Sequence, residues 1–392
     1  MKRRIGFLVS HPIQYYTPIF RELARRCDLT VFFAHRQDAG AQARTGYGVA
    51  FDWDVDLLSG YESHFLRNVA RSPSTQTFSG CNTPEIADSI ESGGFDAFVV
   101  PGWSLRSYWQ AVQACRRSQT PIMVRGDSQL AGQRGGVTRS IKGVVFPHLL
   151  KRFDACLYVG QRNREYLEHY GVPPSRLFFS PHCVDNDAFR KASAASHDEA
   201  AEGRRGGRRR VLFVGRLVES KRPMDLVQAV ARLVAQRQPV ELVIAGAGDL
   251  QAQIEEVARA DRVDVEFLGF VNQSRLPAVY AAADVLVLPS MAVETWGLVV
   301  NEAMACGIPA VVSDAVGCGP DLIEPGVTGA VAPLGDVDAL ADAIASVLAF
   351  GRAATVRALE ERMALYSPAR AADGILEAAD VLADSGRVGV KV

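Results

Sequence analysis

The sequence lacks two features that would place it in a specialised class. Its seven cysteines, at positions 27, 81, 115, 156, 183, 306 and 318, contain no CxxC pair, so they indicate neither a zinc motif nor a disulfide framework. No apolar run approaches the roughly eighteen residues of a membrane-spanning helix. Hydrophobic residues make up 48% of the chain and charged residues 22%, as in soluble globular proteins. We therefore expect a cytoplasmic protein with reduced thiols and no nucleic-acid partner.

The 392 residues are too many for one ordinary core, so two domains are expected. The formal net charge of −1 hides an asymmetry, because residues 1–190 carry a charge of +6 and residues 191–392 carry −7. A basic half favours attraction to an anionic partner, although a modest imbalance is often only surface charge. The stretch from Lys191 to Arg210 is rich in alanine, glycine and arginine and has no apolar periodicity, which predicts a linker. We predict domains at 1–190 and 210–366, a linker at 191–209 and a C-terminal helix at 367–392.

Short apolar runs alternate with helical patterns through the first half, which predicts βαβ units and a parallel sheet. The turn after the first strand, Ser10–Gln14, lacks the glycines of a dinucleotide fingerprint, so it indicates no nicotinamide site. We propose His11 and Gln14 only as crevice residues. Residues 38–80 are irregular and aromatic, which fits either a substrate-facing excursion or a packed surface insertion.

Two further stretches of the first half carry candidate functions. Arg125 and Asp127 follow a predicted strand, and the ligand crevice of a parallel sheet lies beyond the carboxyl ends of its strands, so both are candidates for substrate contact. Residues 138–153 form a basic amphipathic pattern that suits an anionic membrane surface. Because Pro147 interrupts this pattern and a core-facing helix would look similar, both interpretations stay open.

The second half presents cations and carboxylates at successive strand ends. Arg216 ends one predicted strand and Lys221 follows five residues later, and such cations bind diphosphates. Gly246 and Gly248 follow the next strand, where missing side chains let a ligand approach the backbone, although a lone GxG is weak. Each of these residues also has a plain alternative, a surface charge or an ordinary turn.

The stretch 289–309 lies between two predicted strands and contains two glutamates. We place Glu294 in a loop, Gly297 at a turn and Glu302 about one turn into a helix that ends at Gly307. The backbone amides around Gly297, Leu298 and Val299 would then be available to an anionic or hydroxyl-rich ligand. Two solvated glutamates on a strand-loop-helix remain the alternative.

Together these motifs resemble a known family. The chain has Glu294 and Glu302 with seven residues between them, Gly215-Arg216-Leu217 with Lys221, the segment 301–311 and Gly326-Val327-Thr328-Gly329. This set resembles the retaining family-four glycosyltransferases of GT-B fold. The resemblance implies an α/β chain with two Rossmann-like domains, whose parallel sheets face each other across a cleft. It also implies that the last helix crosses back onto the first domain.

The resemblance further implies a role for each matching residue. Arg216 and Lys221 would hold the donor diphosphate, Glu294 the sugar hydroxyls and Glu302 the ribose. The implied donor-binding set is Gly215, Arg216, Lys221, Gly246, Val271, Glu294, Gly297, Leu298, Val299 and Glu302. The implied catalytic set is Arg216, Lys221, Glu294 and Asp127, and the implied acceptor side of the cleft is His11, Gln14, Arg125 and Asp127. No metal or other cofactor is implied.

The function that we expect is transfer of a sugar, with retained configuration, from a nucleotide-diphosphate sugar to a hydroxyl acceptor. The acceptor would be a glycan, a lipid-linked precursor or a small-molecule glycoside precursor, as in polysaccharide biosynthesis. The alternatives are a nucleotide-sugar epimerase of the same architecture and a non-catalytic sugar-binding relative. The protein would work in the cytoplasm, free or in peripheral contact with the anionic inner face of the membrane.

Overall fold

The structure, a computed structural model, describes residues 2–37, 52–132, 136–196 and 207–388. These residues divide into two compact units. The first unit contains residues 2–37, 56–182 and 368–388, and the second contains residues 52–55, 183–196 and 207–367. Each unit contains one parallel β-sheet with helices, so the chain is of the α/β class that the sequence predicts.

The first unit has a seven-stranded sheet in the order β3-β2-β1-β4-β5-β6-β7, with every neighbouring pair parallel. Its strands are β1 (Arg4–Val9), β2 (Asp28–Phe33), β3 (Glu62–Phe65), β4 (Ala97–Val100), β5 (Ile122–Val124), β6 (Ala155–Tyr158) and β7 (Leu177–Phe179). The strand order reverses between β1 and β4, so the loops after these strands flank the crevice where ligands of such sheets bind.

The helices of the first unit include the last helix of the chain. Numbered along the chain, they are α1 (Thr17–Arg26), α2 (Ile86–Gly93), α3 (Arg106–Ser118), α4 (Gly136–Leu150), α5 (Gln161–His169) and α14 (Pro368–Val388). Helix α14 lies so close to β7 that a Cβ on Gly374 would stand 1.9 Å from the Phe179 carbonyl oxygen. Two ion pairs connect α14 to the start of the chain, one from Arg26 to Asp373 at 2.7 Å and one from Arg3 to Asp380 at 2.6 Å.

The second unit has a six-stranded sheet in the order β10-β9-β8-β11-β12-β13. Its strands are β8 (Arg209–Val214), β9 (Val240–Ala245), β10 (Val265–Gly269), β11 (Val285–Leu288), β12 (Ala310–Ser313) and β13 (Gly329–Ala332). Its helices are α6 (Asn186–Ala195), α7 (Pro223–Ala235), α8 (Gln251–Ala260), α9 (Leu276–Ala281), α10 (Leu298–Ala305), α11 (Gly319–Leu322), α12 (Val337–Leu348) and α13 (Arg352–Leu365). Here the strand order reverses between the paired strands β8 and β11.

The central strands of the second unit are buried on both faces. All four residues of β11 are fully buried, and so are those of β12 apart from a trace at Ser313. Continuous apolar runs of this kind are typical of parallel strands covered by helices. The core on one face is completed by the apolar sides of α7 and α12. The strand-end loops are therefore mounted on a rigid base.

The structure differs from the sequence-based organisation at three places. Strand β3 lies within the stretch 38–80 that we predict to be irregular, while residues 38–51 of that stretch lie outside the described residues. The predicted linker 191–209 begins inside α6 and ends inside β8. Asp185 caps the start of α6, because its side chain accepts a hydrogen bond from the Ala188 amide at 3.1 Å. Residues 197–206 lie outside the described residues. Residues 183–190, which we predict to be in the first domain, group with the second unit.

Candidate functional site

The loop after β8 begins the candidate site of the second unit. Gly215 donates a hydrogen bond to the Ala245 carbonyl at 3.0 Å, and a Cβ on Gly246 would stand 1.9 Å from the Gly215 carbonyl oxygen. The two strand-end loops thus touch backbone to backbone. Gly246 has a φ of 152°, which also favours glycine. The close approach that we predict at this glycine is therefore made by the neighbouring loop of the chain itself.

Two cations follow this loop. Arg216 is exposed just beyond β8, and Lys221 ends a short 3₁₀ turn that begins at Glu219. The Lys221 ammonium forms an ion pair with the Glu294 carboxylate. The two side chains are 23% and 16% exposed, so solvent still reaches the pair. Because β8 and β11 are neighbours, residues 73 positions apart in sequence meet at the switch point of the sheet.

The loop that carries Glu294 is fixed by its backbone. The Met291 amide donates to the Ser220 carbonyl at 2.9 Å, and the Glu294 carbonyl accepts from the Gly317 amide at 3.1 Å. A Cβ on Gly317 would stand 1.8 Å from the Thr295 carbonyl oxygen, so only glycine fits there. These contacts hold the carboxylate beside Lys221 without a ligand.

Helix α10 begins immediately after this loop. Gly297 occupies the capping position with a φ of 104°, and as a glycine it provides no side-chain cap. Leu298 and Val299 are half-buried, and the amides of a first helical turn have no partner within the helix. An anion or a hydroxyl group bound here would accept hydrogen bonds from them. The turn and helix that we predict from the sequence are confirmed.

Glu302 lies one turn into α10, but its carboxylate is buried. The residue is 1% exposed, and the Tyr280 hydroxyl donates a hydrogen bond to its Oε2 at 2.7 Å. A ribose hydroxyl would therefore have to share this carboxylate with Tyr280. On the adjoining turn, the Trp296 indole donates to the Asn301 side-chain oxygen at 2.8 Å, which fixes the start of the helix. Val271, the remaining residue of the implied donor set, is half-buried two residues after β10.

In the first unit, Arg125 is part of the core. It is 2% exposed, and its guanidinium donates to the Ser180 hydroxyl at 3.0 Å and to the Pro181 carbonyl at 2.7 Å. The Tyr16 ring lies 5.3 Å from the guanidinium carbon. From its place after a strand, we predict that Arg125 contacts substrate. The structure instead buries its guanidinium, which connects the end of β5 to the chain after β7.

Asp127 lies two residues further on and is half exposed. Its Oδ2 is 3.8 Å from Nε2 of His182, whose side chain is 16% exposed. Burial lowers the pKa of His182, the Asp127 carboxylate opposes this shift, and the nearby Arg125 adds to it. No role is predicted for His182 from the sequence. Its position directly after a strand end, next to Pro181, is the pattern that could have identified it.

His11 and Gln14 lie half-buried in the loop after β1. The Ser10 hydroxyl and Nδ1 of His11 are hydrogen-bonded at 2.9 Å. Burial, with a smaller contribution from His35, lowers the pKa of His11 to about 4. This imidazole is therefore neutral at physiological pH.

Metal and membrane features are few in the described part of the chain. Across residues 2–37, 52–132, 136–196 and 207–388, no group of three or more histidine, cysteine, aspartate or glutamate side chains is arranged to hold a metal ion. No single helix in these ranges is long and apolar enough to cross a membrane. One bent pair of helices, Val337–Leu348 with Ala353–Asp384, has the length and composition of a span only when the two are counted together. None of the seven cysteines, all of which lie in the described ranges, forms a disulfide, and six of them are buried.

The chain is similar to known proteins in sequence and in fold. Residues 196–365 match the family described as glycosyl transferases group 1. The chain is 36% identical over 281 residues to a D-inositol 3-phosphate glycosyltransferase of Mycolicibacterium smegmatis, covering 70% of this chain and 63% of the relative. It is 32% identical over 203 residues to a GDP-mannose-dependent alpha-(1-6)-phosphatidylinositol monomannoside mannosyltransferase of Mycobacterium tuberculosis, covering 50% of this chain and 52% of the relative.

Solved structures share the fold at lower identity. HepE of Anabaena in complex with UDP matches with a TM-score of 0.70 and 17% identity over 96% of this chain and 100% of that one. The lipopolysaccharide outer core galactosyltransferase WaaB, in its apo form, gives a TM-score of 0.67 and 16% identity over 96% and 98%. The chain spans 60 to 63% of the length of the inositol phosphate glycosyltransferases that it matches. The chain thus has the GT-B fold and, over residues 196–365, the sequence pattern of the group 1 glycosyl transferases.

Proposed function

We propose that the protein is a retaining glycosyltransferase that moves a sugar from a nucleotide-diphosphate sugar to a hydroxyl acceptor. The observation that carries this proposal is the Lys221–Glu294 ion pair beside the start of α10, where Gly297 occupies the capping position. Relatives support the donor class, since one is named as GDP-mannose-dependent and a structural neighbour was solved with UDP-glucose. A cation, a carboxylate and helix amides at one switch point match the diphosphate and the sugar hydroxyls of such a donor.

The donor would be held by groups of the second unit. Lys221 and the exposed Arg216 neutralise the diphosphate, whose negative charge grows as the glycosidic bond breaks, which is an electrostatic form of catalysis. Glu294 accepts hydrogen bonds from sugar hydroxyls, with the amides of Leu298 and Val299 nearby. Glu302 receives the ribose by sharing its carboxylate with the Tyr280 hydroxyl.

The acceptor would meet the first unit at the ends of β1 and β5. Asp127, whose carboxylate is half exposed, is our candidate for the acceptor hydroxyl, with His11 and Gln14 beside the switch point. Arg125 would act by fixing the loop that carries Asp127, since two of its nitrogens donate hydrogen bonds to the chain after β7. The acceptor attacks on the face that the leaving diphosphate occupies, so no protein nucleophile is assigned.

We propose that no divalent metal is needed, because fixed cations would do the work of a metal at the diphosphate. Activity in excess EDTA should equal activity in magnesium. A loss of activity in EDTA that magnesium restores would contradict this part of the proposal.

Nucleotide binding and donor turnover test the main proposal. One of UDP, GDP, ADP and dTDP should raise the melting temperature most, since the tightest ligand stabilises most. The corresponding nucleotide sugars should be hydrolysed slowly with the anomeric configuration kept, as followed by proton NMR. Inversion at another ring carbon would favour an epimerase, and stabilisation without turnover of any nucleotide sugar would favour a non-catalytic binder.

Lys221→Ala tests the site assignment. It should lower donor turnover by at least about a hundredfold, because a cation that stabilises developing charge in a partly buried site typically contributes several kcal/mol. Lys191→Ala, which removes an exposed lysine from α6, is the matched control for the loss of one positive charge. Near-normal turnover by Lys221→Ala would contradict the assignment.

We also propose that the first unit rests on an anionic membrane through the second half of α4. Val144 and Val145 are 69% and 50% exposed there, and the exposed Lys151 and Arg152 follow the helix. Apolar side chains next to cations suit the surface of an anionic bilayer.

Liposomes with and without phosphatidylserine test this contact. The protein should bind only the anionic liposomes, and binding should weaken with salt. Replacing both valines with serine should weaken it, whereas Val69→Ser, at a residue 46% exposed elsewhere in the unit, should not. No binding at low salt would end this proposal.

A further inference from the structure

His182 and Asp127 form a pair at the carboxyl edge of the first sheet. Asp127 follows β5 and His182 follows β7, and the two strands are separated only by β6. Nε2 of His182 and Oδ2 of Asp127 are 3.8 Å apart, a separation that a small side-chain rotation closes to a hydrogen bond. The imidazole is mostly buried, while half of the carboxylate is open to solvent. One member is thus held in the unit and the other faces outward.

A buried cation stands behind this pair. The Arg125 guanidinium donates to Ser180, which is fully buried, and to the carbonyl of Pro181, the residue before His182. The aromatic ring of Tyr16 covers the same guanidinium. The guanidinium therefore places a positive charge behind the imidazole.

The charges around His182 favour a neutral imidazole. Burial and the Arg125 charge both lower the pKa of His182, and only the Asp127 carboxylate raises it. A second positive charge next to a buried guanidinium is unfavourable. A neutral imidazole has one N–H donor, whereas an imidazolium would cancel the charge of the carboxylate.

We propose that His182 is a positioning residue that donates its Nε2 hydrogen to Asp127 and holds that carboxylate toward the acceptor hydroxyl. The inference rests on the proposed glycosyl transfer, in which Asp127 meets the acceptor. The imidazole would orient the carboxylate, and the acceptor hydroxyl would donate a hydrogen bond to the carboxylate in that orientation. Arg125 serves this arrangement by keeping the imidazole uncharged.

Imidazole NMR tests the pair without any substrate. In long-range proton–nitrogen spectra, the signal that His182→Gln removes should be neutral at pH 7, carry its hydrogen on Nε2 and titrate below the ordinary histidine value of about 6.5. Asp127→Asn should lower its midpoint further, because the carboxylate raises the pKa of His182. A midpoint at or above 6.5, a hydrogen on Nδ1 alone, or no response to Asp127→Asn would overturn the proposal.

Turnover of GDP-mannose and UDP-glucose with water as the acceptor tests the consequence. The wild-type rate should fall as His182 becomes protonated at acidic pH. His182→Gln keeps an N–H donor that does not titrate, so it should retain the neutral rate and lose this acidic decline. His182→Leu removes the donor and should lower the rate at least about tenfold, since a misplaced catalytic group is slow.

The controls separate this inference from the proposed function. His64→Gln changes an imidazole that pairs with Glu62 at 2.9 Å but is 54% exposed, and it should match the wild type. Melting-temperature shifts by UDP and GDP should be unchanged in every His182 variant, because the donor site is in the second unit. Full turnover by His182→Leu would overturn the positioning role alone. If the wild type turned over neither donor, the glycosyl transfer would be in doubt and the NMR titration would still decide whether the pair exists.

Discussion

Replacing Glu294 by glutamine should tighten the binding of nucleoside diphosphates. In the structure Lys221 is occupied by Glu294, so a diphosphate has to break this ion pair before it can use the lysine. A nucleotide sugar has sugar hydroxyls that can donate hydrogen bonds to the Glu294 carboxylate after it separates from Lys221. A nucleoside diphosphate has no sugar to do this, so its negative charge lies near the negatively charged carboxylate. For a nucleoside diphosphate, Glu294→Gln removes both the cost of breaking the ion pair and the repulsion from the carboxylate. For a nucleotide sugar, it also removes the charged contact with the sugar.

The expected size follows from the exposure of the pair. Fully exposed ion pairs contribute about 0.2–1 kcal/mol, and charges near a protein surface attract more strongly as water is excluded. With side chains 23% and 16% exposed, we expect about 1–2 kcal/mol, which is about a 5- to 30-fold decrease in Kd. Donor turnover should fall in the same variant, because a charged acceptor of hydrogen bonds is lost.

Isothermal titration calorimetry with UDP and GDP measures this effect directly. Glu219→Gln is the matched control, since Glu219 is exposed two residues from Lys221 and the replacement changes the net charge equally. The control should shift Kd by less than about twofold, as expected for an exposed charge. Equal or weaker nucleotide binding by Glu294→Gln would refute the competition between the ion pair and the diphosphate.

Three further predictions concern stability. Gly246→Ala should destabilise the protein by at least about 2 kcal/mol in urea unfolding, because its new Cβ meets a carbonyl oxygen at 1.9 Å, whereas Gly126→Ala, with the nearest atom at 3.9 Å, should have little effect. Tyr280→Phe should lower the unfolding free energy by about 1–3 kcal/mol, since it takes a donor from the buried Glu302 carboxylate, and an unchanged value would mean that the bond is not formed. The pKa of His11 is lowered to about 4 in the folded protein, whereas histidine in an unfolded chain has a pKa of about 6.5. As the pH falls from about 6.5 to about 4, the unfolded chain binds the proton first, so the free energy of unfolding should fall by up to about 3 kcal/mol. His11→Gln should flatten this pH profile, as measured by urea unfolding.

The sequence predicts those elements of the site that local chemistry determines. The stretch from β11 to β12 is predicted correctly because apolar β-branched runs mark both strands. Gly307 has a φ of 77° after α10, and Pro309 follows, which are local reasons for the helix to end. The alternation of strands and helices similarly predicts two parallel sheets.

Features that depend on distant partners are not predicted. Arg125 follows a strand like a crevice residue, but Ser180 and Pro181, more than 50 positions away, draw it into the core. Strand β3, with the sequence ESHF, is polar and half-buried at a sheet edge, so it lacks the apolar run that identifies the other strands. The spacing between Gly246 and the neighbouring loop is likewise a tertiary property.

The close contact between Gly374 and β7 has a consequence for how the chain is made. The first unit contains the earliest strand, β1, and also α14, which the ribosome adds only after the whole second unit. Until then, no helix covers the surface of β7 that contacts Gly374. The Ser180 hydroxyl, which donates a hydrogen bond to the Ala371 carbonyl at 3.0 Å in the folded unit, is also uncovered. The first unit therefore exposes apolar surface during synthesis until the second unit and α14 have been made. We expect chaperones to bind the nascent chain at this stage.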